Sequence, residues 1–190
     1  LLTSVIEVNE LQKRRVVGKL RKHLGLIEGA RIALLGLAFK PGTDDMREAP
    51  SRTVIDELVR RGATIRAFDP LAMPRAREIW AGRDAVDFAA DPLDAARGAH
   101  ALLVLTEWRE FRTPDFDHIK ASLKQPLVLD GRNLYEPELM RSLGMTSGLS
   151  TTRQLRPAFC TITSGTTGAP SLRPKGRPGL GSHDTISACA

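Results

Sequence analysis

The apolar residues of this chain repeat with one period near its start and with another through its middle. Between Thr3 and Leu24, Val5, Val8, Val16, Leu20 and Leu24 fall at helical spacings among polar neighbours, and Gly25 stands where such a helix stops. The spacing predicts one long amphipathic helix. From residue 31 onward short β-prone runs take over, at Ile32–Leu37, Thr64–Phe68, Ala85–Phe88, Ala101–Thr106 and Leu127–Leu129. Helical stretches separate them, at Ser51–Arg61, Leu71–Ala81, Pro92–Arg97 and Pro114–Leu123, with a last one near Pro137–Leu143. Strands and helices alternating at these lengths predict an α/β fold, an open parallel sheet with helices on both faces. Ala101–Leu105 is almost wholly apolar, as suits a central strand buried on both sides.

Past Met145 the pattern dissolves. Residues 151–190 hold nine Gly and Pro and eleven Ser and Thr, a composition that buries too little apolar surface to offset its ordering entropy. The expectation is a disordered tail behind one core-forming domain, which is what 190 residues at 42% hydrophobic content allow. Charge divides at the same point. The formal net charge is +6, but residues 1–150 carry 23 Lys/Arg against 21 Asp/Glu, whereas residues 151–190 carry 5 against 1. The basic excess thus belongs to a tail nearly free of the aromatics that stack on bases, and nucleic acid is not expected as a partner.

Cys160 and Cys189 both lie in that tail, so the folded part has no disulfide framework, thiol nucleophile or thiolate metal ligand. His23, His100, His118 and His183 show no metal-ligand spacing, and no metal is expected. No apolar run reaches membrane-spanning length, and the first residues lack the pattern of a signal peptide. The chain reads as soluble and cytoplasmic, without a membrane partner. It does not begin with Met, which suggests a start partway through a longer chain.

In an open parallel sheet, ligands bind beyond the carboxyl ends of the strands. The richest segment there is GLAFKPGTDDMREAPS, residues 36–51, which sets Lys40 and Arg47 beside Asp44 and Asp45 and enters a helix at Pro50 and Ser51. Gly36 and Gly42 let the backbone turn and approach a ligand, while a Lys and an Arg bind phosphate as a point charge and as a planar fork. The segment reads equally as a surface loop whose charges pair among themselves. It is neither a P-loop nor G-x-G-x-x-G. After the last strand, Asp130, Gly131, Arg132 and Asn133 either aim a guanidinium over the same edge or form an ordinary strand-ending turn. Thr106, Glu107 and Trp108 follow the fourth strand, and Trp108 is expected to finish the core. Asp69 and Pro70 close the second strand where an acidic residue meets a ribose hydroxyl in dinucleotide folds, although Asp-Pro is also a common turn.

Read together with VLTEWREF at 104–111 and LVLDGRNLYEP at 127–137, the loop resembles the UDP-glucose/GDP-mannose dehydrogenase family, and its wording is most similar to the UDP-glucose 6-dehydrogenase branch. The resemblance runs from about Val5 to Met145. It implies an enzyme of three parts: an N-terminal Rossmann domain for NAD, a long central helix that builds a homodimer, and a C-terminal Rossmann-like domain gripping the UDP-sugar. It also implies the reaction, two NAD-dependent oxidations of the sugar's C6 alcohol through a cysteine-bound thiohemiacetal and thioester. By the same resemblance Phe39, Lys40 and Arg132 match positions that contact the nucleotide sugar, and Arg47 matches an arginine that reaches the cofactor's pyrophosphate. The implied domains are residues 1–26 as the end of the central helix, 27–146 as the UDP-sugar-binding domain, and 147–190 as a disordered tail foreign to the family.

The departures limit what such a chain does. The family's NAD fingerprint, its catalytic Cys in a Gly-x-Cys-hydrophobic-Pro-Lys-Asp setting, and its catalytic Lys and Asn belong upstream of the matching positions. Neither Cys160 nor Cys189 has that setting, so no residue here is assigned to catalysis. The expectation is a fragment that binds UDP-glucose or a related nucleotide sugar without turning it over. From about Thr146 the sequence leaves the family pattern, as a shifted reading frame would produce. Two other readings remain: a dehydrogenase of another nucleotide sugar such as GDP-mannose, and a non-catalytic nucleotide-sugar-binding or oligomerisation module.

Overall fold

The computed structural model describes residues 15–147. The first part of the expected long helix and the expected disordered tail lie outside the described residues. Helix α1 occupies residues 15–24 and stops at Gly25, whose φ of 78° and N–H bond to the Arg21 carbonyl at 2.8 Å complete a left-handed stop.

Six strands follow: β1 (Arg31–Leu35), β2 (Thr64–Phe68), β3 (Val86–Phe88), β4 (Ala101–Val104), β5 (Leu127–Asp130) and β6 (Thr146–Ser147). Between them run α2 (Pro50–Arg60), α3 (Met73–Ile79), α4 (Pro92–Ala96), α5 (Phe116–Ser122) and α6 (Pro137–Ser142), with a 3₁₀ turn at Arg109–Phe111. All pairings are parallel, and the strand order is β3-β2-β1-β4-β5-β6. The fold is an open Rossmann-like sheet, with the strand order of dinucleotide-binding folds.

Side-chain alternation divides the core in two. Ile32, Leu34, Ile65, Ala67, Leu103 and Leu129 face one layer with Val54, Ile55 and Leu58 of α2 and Ala76 of α3. Ala33, Leu35, Leu102, Val104 and Val128 face the other with Ala95 and Ala96 of α4, Ile119 of α5 and Met140 of α6. Helices before β3 thus cover one face and helices after it the other. The chain changes sides on passing from β3 to β4, and this creates a switch point between β1 and β4. Val17 and Leu20 of α1 are buried in the first layer with Val16 and Leu24 packed against it, so the described end of this helix covers its own domain's sheet.

All five predicted strands and all five helices predicted between and after them fall within two residues of their observed bounds, and the two-residue differences have local settings. Strand β1 ends two residues early, where the N–H and carbonyl of Leu37 go to the side chains of Asp69 and Ser51, and β4 ends at Val104, after which Leu105 N–H still donates to the Leu35 carbonyl. Helix α3 starts at Met73, since Asp69 accepts the N–H groups of Leu71 and Ala72 in a turn of its own. Helix α5 starts at Phe116, behind an Asp115 cap that accepts the His118 N–H. Strand β6 is too short to show a period and was not predicted.

Candidate functional site

At the carboxyl edge the ends of β1 and β4 touch. Gly36 has a φ of 88°, and a Cβ placed on it would lie 2.5 Å from Thr106 Cβ. Its N–H donates to the Phe68 carbonyl at 2.9 Å, while Leu105 N–H donates to the Leu35 carbonyl at 2.9 Å. Gly36 is therefore required both by the turn the sequence indicated and by the neighbouring strand. Gly131 repeats the device at β5, where an added Cβ would stand 2.9 Å from the Val104 carbonyl oxygen.

Asp69, at the end of β2, is completely buried. Its Oδ2 accepts the N–H of Leu37 at 2.7 Å, the N–H of Ala38 at 3.1 Å and Trp108 Nε1–H at 3.1 Å. Its Oδ1 accepts the N–H of Leu71 at 3.0 Å and of Ala72 at 2.8 Å. Five donors leave this carboxylate nothing for a ribose hydroxyl, and that reading of Asp69 is withdrawn. Two hydroxyls close the same turn from the acceptor side: Ser51 Oγ donates to the Leu37 carbonyl at 2.5 Å and Thr106 Oγ1 to the Ala38 carbonyl at 2.6 Å. Trp108 is half-buried against the second core layer, as expected, but it also ties β4 to β2 through its indole N–H.

Beyond this clamp the loop turns outward. Phe39 is 39% exposed and its N–H donates to the Asp45 carbonyl at 2.9 Å, closing a hairpin over Lys40 to Asp44. Lys40 is exposed. Arg47, whose side chain is 84% exposed, forks onto Asp45 with Nε to Oδ1 at 3.0 Å and a terminal nitrogen to Oδ2 at 2.8 Å. That bond, foremost, and the Arg47 and Lys40 charges lower the Asp45 pKa to about 2, and Asp45 in turn raises that of Arg47. Lys40, Asp45 and Arg47 form one charged group, with the expected internal pairing between Arg47 and Asp45. Buried Met46 and Ala49 return the loop to α2.

Arg132 stands beyond β5 on the turn the sequence indicated. Buried Asp130 accepts the N–H of Arg132 at 2.8 Å and of Tyr135 at 2.9 Å, and Asn133 takes the left-handed φ of 55°. Burial raises the Asp130 pKa against these backbone donors. The Arg132 side chain, 18% exposed, donates through Nε to Oε2 of Glu107, itself 29% exposed. Burial pushes the Glu107 carboxyl up, but the bond and charge of Arg132 outweigh it and the net shift is downward.

All four sequence-predicted residues lie on loops of the carboxyl edge. Lys40 and Arg47 come together around Asp45, Phe39 is beside them, and Arg132 is held by Glu107. Sequence reasoning missed the role of Asp69, the two hydroxyl latches and the Glu107 partnership, because each joins residues from separate elements of the fold. Next to this edge an open cleft of about 440 Å³ is lined by Pro70, Leu71, Trp108, Arg109 and Glu110. Among the described residues no group of three or more His, Cys, Asp or Glu could hold a metal ion.

Residues 33–137 match the model of the UDP-glucose/GDP-mannose dehydrogenase family, UDP binding domain. The UDP-glucose 6-dehydrogenase TuaD of Bacillus subtilis is 40% identical over 144 residues, covering 76% of this chain and 31% of its own length. The UDP-glucose 6-dehydrogenase of Pseudomonas aeruginosa is 46% identical over 125 residues, covering 63% of this chain and 27% of its own. Among solved structures, a UDP-glucose dehydrogenase from the hyperthermophilic archaeon Pyrobaculum islandicum superimposes with a TM-score of 0.60 at 33% identity, over 68% of this chain and 28% of that one. The chain thus spans about a third of the length of the curated relatives it matches. On the family match and these identities, the chain belongs to the UDP-glucose/GDP-mannose dehydrogenase family and contains its UDP-binding domain.

Proposed function

We propose that this chain is the nucleotide-sugar-holding part of a UDP-glucose 6-dehydrogenase, which oxidises UDP-glucose in two NAD-dependent steps to UDP-glucuronate. The observation that supports the reading is that Lys40, Arg47 and Arg132 all stand on loops at the carboxyl edge of a UDP-binding domain, the first two beside an exposed Phe39. A nucleoside diphosphate presents two charged phosphates, which an ammonium and a forked guanidinium bind with strong, charge-assisted bonds. Lys40 supplies the point charge, and Arg132, oriented by Glu107, supplies the fork. Phe39 gives an apolar face to the nucleotide sugar.

Arg47 suits the cofactor's pyrophosphate: its guanidinium is exposed and has a carboxylate partner that a phosphate can replace. The chemistry such a cofactor would supply is that of a hydride acceptor for the sugar's oxidation. The first turn of the present domain has its N–H groups occupied by Asp69, so Arg47 meets the cofactor as a side chain at the rim. We assign residues 27–146 to the UDP-sugar domain, 1–26 to the end of a central helix that forms a homodimer in the whole enzyme, and 147–190 to a tail outside the family. No described helix is long and apolar enough to cross a membrane. Neither Cys160 nor Cys189 has the setting of the family's nucleophile, so the 190 residues alone bind without oxidising.

Calorimetric titration of the chain with UDP-glucose tests the site. A charge-assisted hydrogen bond contributes about 1.5–3 kcal/mol, so Lys40→Met and Arg132→Met should each weaken binding by about 10- to 100-fold. Unchanged affinity in both variants refutes the site, and tighter binding of GDP-mannose than of UDP-glucose moves the chain to another branch of the family.

A further inference from the structure

The turn after β1 is where a sheet of this strand order receives a dinucleotide's pyrophosphate, on backbone N–H groups and the start of the following helix. Here that turn is already full. The N–H groups of Leu37 and Ala38 point at the Asp69 carboxylate, the Leu37 carbonyl accepts from Ser51, and the Ala38 carbonyl accepts from Thr106. Each hydrogen-bonding group of these two residues is used inside the protein, by side chains from the end of β2, the end of β4 and the start of α2. Helix α2 begins only at Pro50, so the Gly36–Ala49 loop separates it in sequence from the strand end, while Ser51 in its first turn reaches back to the Leu37 carbonyl.

We propose that Asp69 is the positioning residue of the rim: an internal anion that takes the place a phosphate holds in a dinucleotide-binding sheet, fixes the loop carrying Phe39 and Lys40, and leaves ligand phosphates to side chains farther out. The proposal rests on the nucleotide-sugar reading given above. Geometry explains why one residue has this reach. The carboxylate lies between three loops, holding Leu37 and Ala38 after β1, Leu71 and Ala72 after β2, and the Trp108 indole after β4. Lys40 follows Ala38 by two residues, so a shift of the clamped pair moves its ammonium, and Thr106, which latches Ala38, adjoins the Glu107 that orients Arg132. Asp69 therefore sets Lys40 directly and shares a connection to Arg132.

The test uses the whole chain with two readouts: amide hydrogen exchange at Leu37 and Ala38 relative to Leu103 of the central strand, and calorimetric affinity for UDP-glucose. In Asp69→Asn an amide donor faces the donors the carboxylate served. Exchange protection at Leu37 and Ala38 should then fall by about 10-fold or more while Leu103 stays protected, and UDP-glucose affinity should fall by about 10-fold or more. Thr106→Val, which removes only the latch on Ala38, should weaken binding in the same direction, and it carries the test if Asp69→Asn does not fold. Leu58→Ala, a core cavity at the far end of α2, should leave the affinity of the folded protein within about 2-fold of native, so that general destabilisation is separated from positioning. Retained protection at Leu37 and Ala38 in Asp69→Asn overturns the proposal, as does an equal loss of affinity in Leu58→Ala. If the native chain takes up no UDP-glucose, the functional reading falls and the ligand role of Asp69 falls with it. The exchange result then still decides whether Asp69 holds the turn.

Discussion

At Gly36 a single methyl group would stand 2.5 Å from Thr106 Cβ and 2.6 Å from the Thr106 backbone nitrogen, at a φ that L side chains rarely adopt. Neither obstacle is the end of a flexible side chain, so relief requires the β1 and β4 ends to part and the Asp69 clamp to loosen. Gly36→Ala should lower unfolding stability by about 3 kcal/mol, combining left-handed strain with overpacking. Gly42 gives the internal comparison: its φ is 75° but nothing lies within 4 Å of an added Cβ, and Gly42→Ala should cost only the strain, about 1 kcal/mol. Urea denaturation measures both, as a lower midpoint at unchanged slope. Equal effects at the two positions would contradict the close approach of the strands. The pair also shows a limit of sequence reading at this scale. Both glycines sit in a loop rich in charge and look equivalent there, whereas only the fold sets Thr106 against one of them.

Among the elements, α5 carries a local pH dependence. Asp115 caps the helix by accepting the His118 N–H at 3.1 Å, and its other oxygen meets His118 Nδ1 at 2.6 Å. This bond raises the pKa of the exposed imidazole and lowers that of the carboxyl. For the histidine, whose folded pKa is above its unfolded value of about 6.5, the stabilisation is complete below that pH and is lost as pH rises through the folded value. For the aspartate, with a folded pKa below about 3.9, it is present above that pH and is lost as pH falls through the folded value. The pair therefore helps the helix most between about pH 4 and 6.5. An NMR titration of the His118 ring should show a midpoint above the ordinary value, and Asp115→Asn should return it there; a native midpoint at or below 6.5 would remove the pairing. The cap was foreseeable, since an aspartate three residues before a histidine at a helix start is a local signal. So were most elements, because apolar period and turn residues are local too. Strand β4 was legible from four consecutive buried apolar residues, whereas β6 was invisible because it exists only as two residues paired to β5. The candidate site divides the same way. Lys40, Arg47 and Arg132 could be placed at the carboxyl edge from the order of strands and loops. The pairing of Arg47 with Asp45 was open to the sequence as a local pair, whereas the Glu107 partner of Arg132 and the five donors around Asp69 depended on the distances at which the strand ends meet.

For the whole molecule the decisive asymmetry is charge. The net +6 divides into 23 Lys/Arg against 21 Asp/Glu up to residue 147 and 5 against 1 beyond it, since residues 148–150 are uncharged. The family match, 33–137, falls entirely within the nearly neutral portion, where arginines answer to carboxylates in pairs such as Arg66 with Asp94 and Arg61 with Glu57. A chain ending at Ser147 should therefore bind UDP-glucose within about 2-fold of the full chain, because Phe39, Lys40, Arg132 and the clamp that holds them are all retained. The two chains should differ in their response to polyanions. Five clustered cations that neutralise phosphates release about 0.9 counterion each, so the full chain should bind random duplex DNA weakly with a log–log salt slope no steeper than about −4.5. Removing residues 148–190 should abolish that binding. If the slope persists in the shortened chain, the basic surface belongs to the domain and its charge serves a polyanion. If UDP-glucose affinity collapses instead, residues beyond 147 contribute to the site and the proposed boundary is wrong. The two measurements fail independently, since the ligand site is built from a few placed charges and the polyanion response from net charge alone.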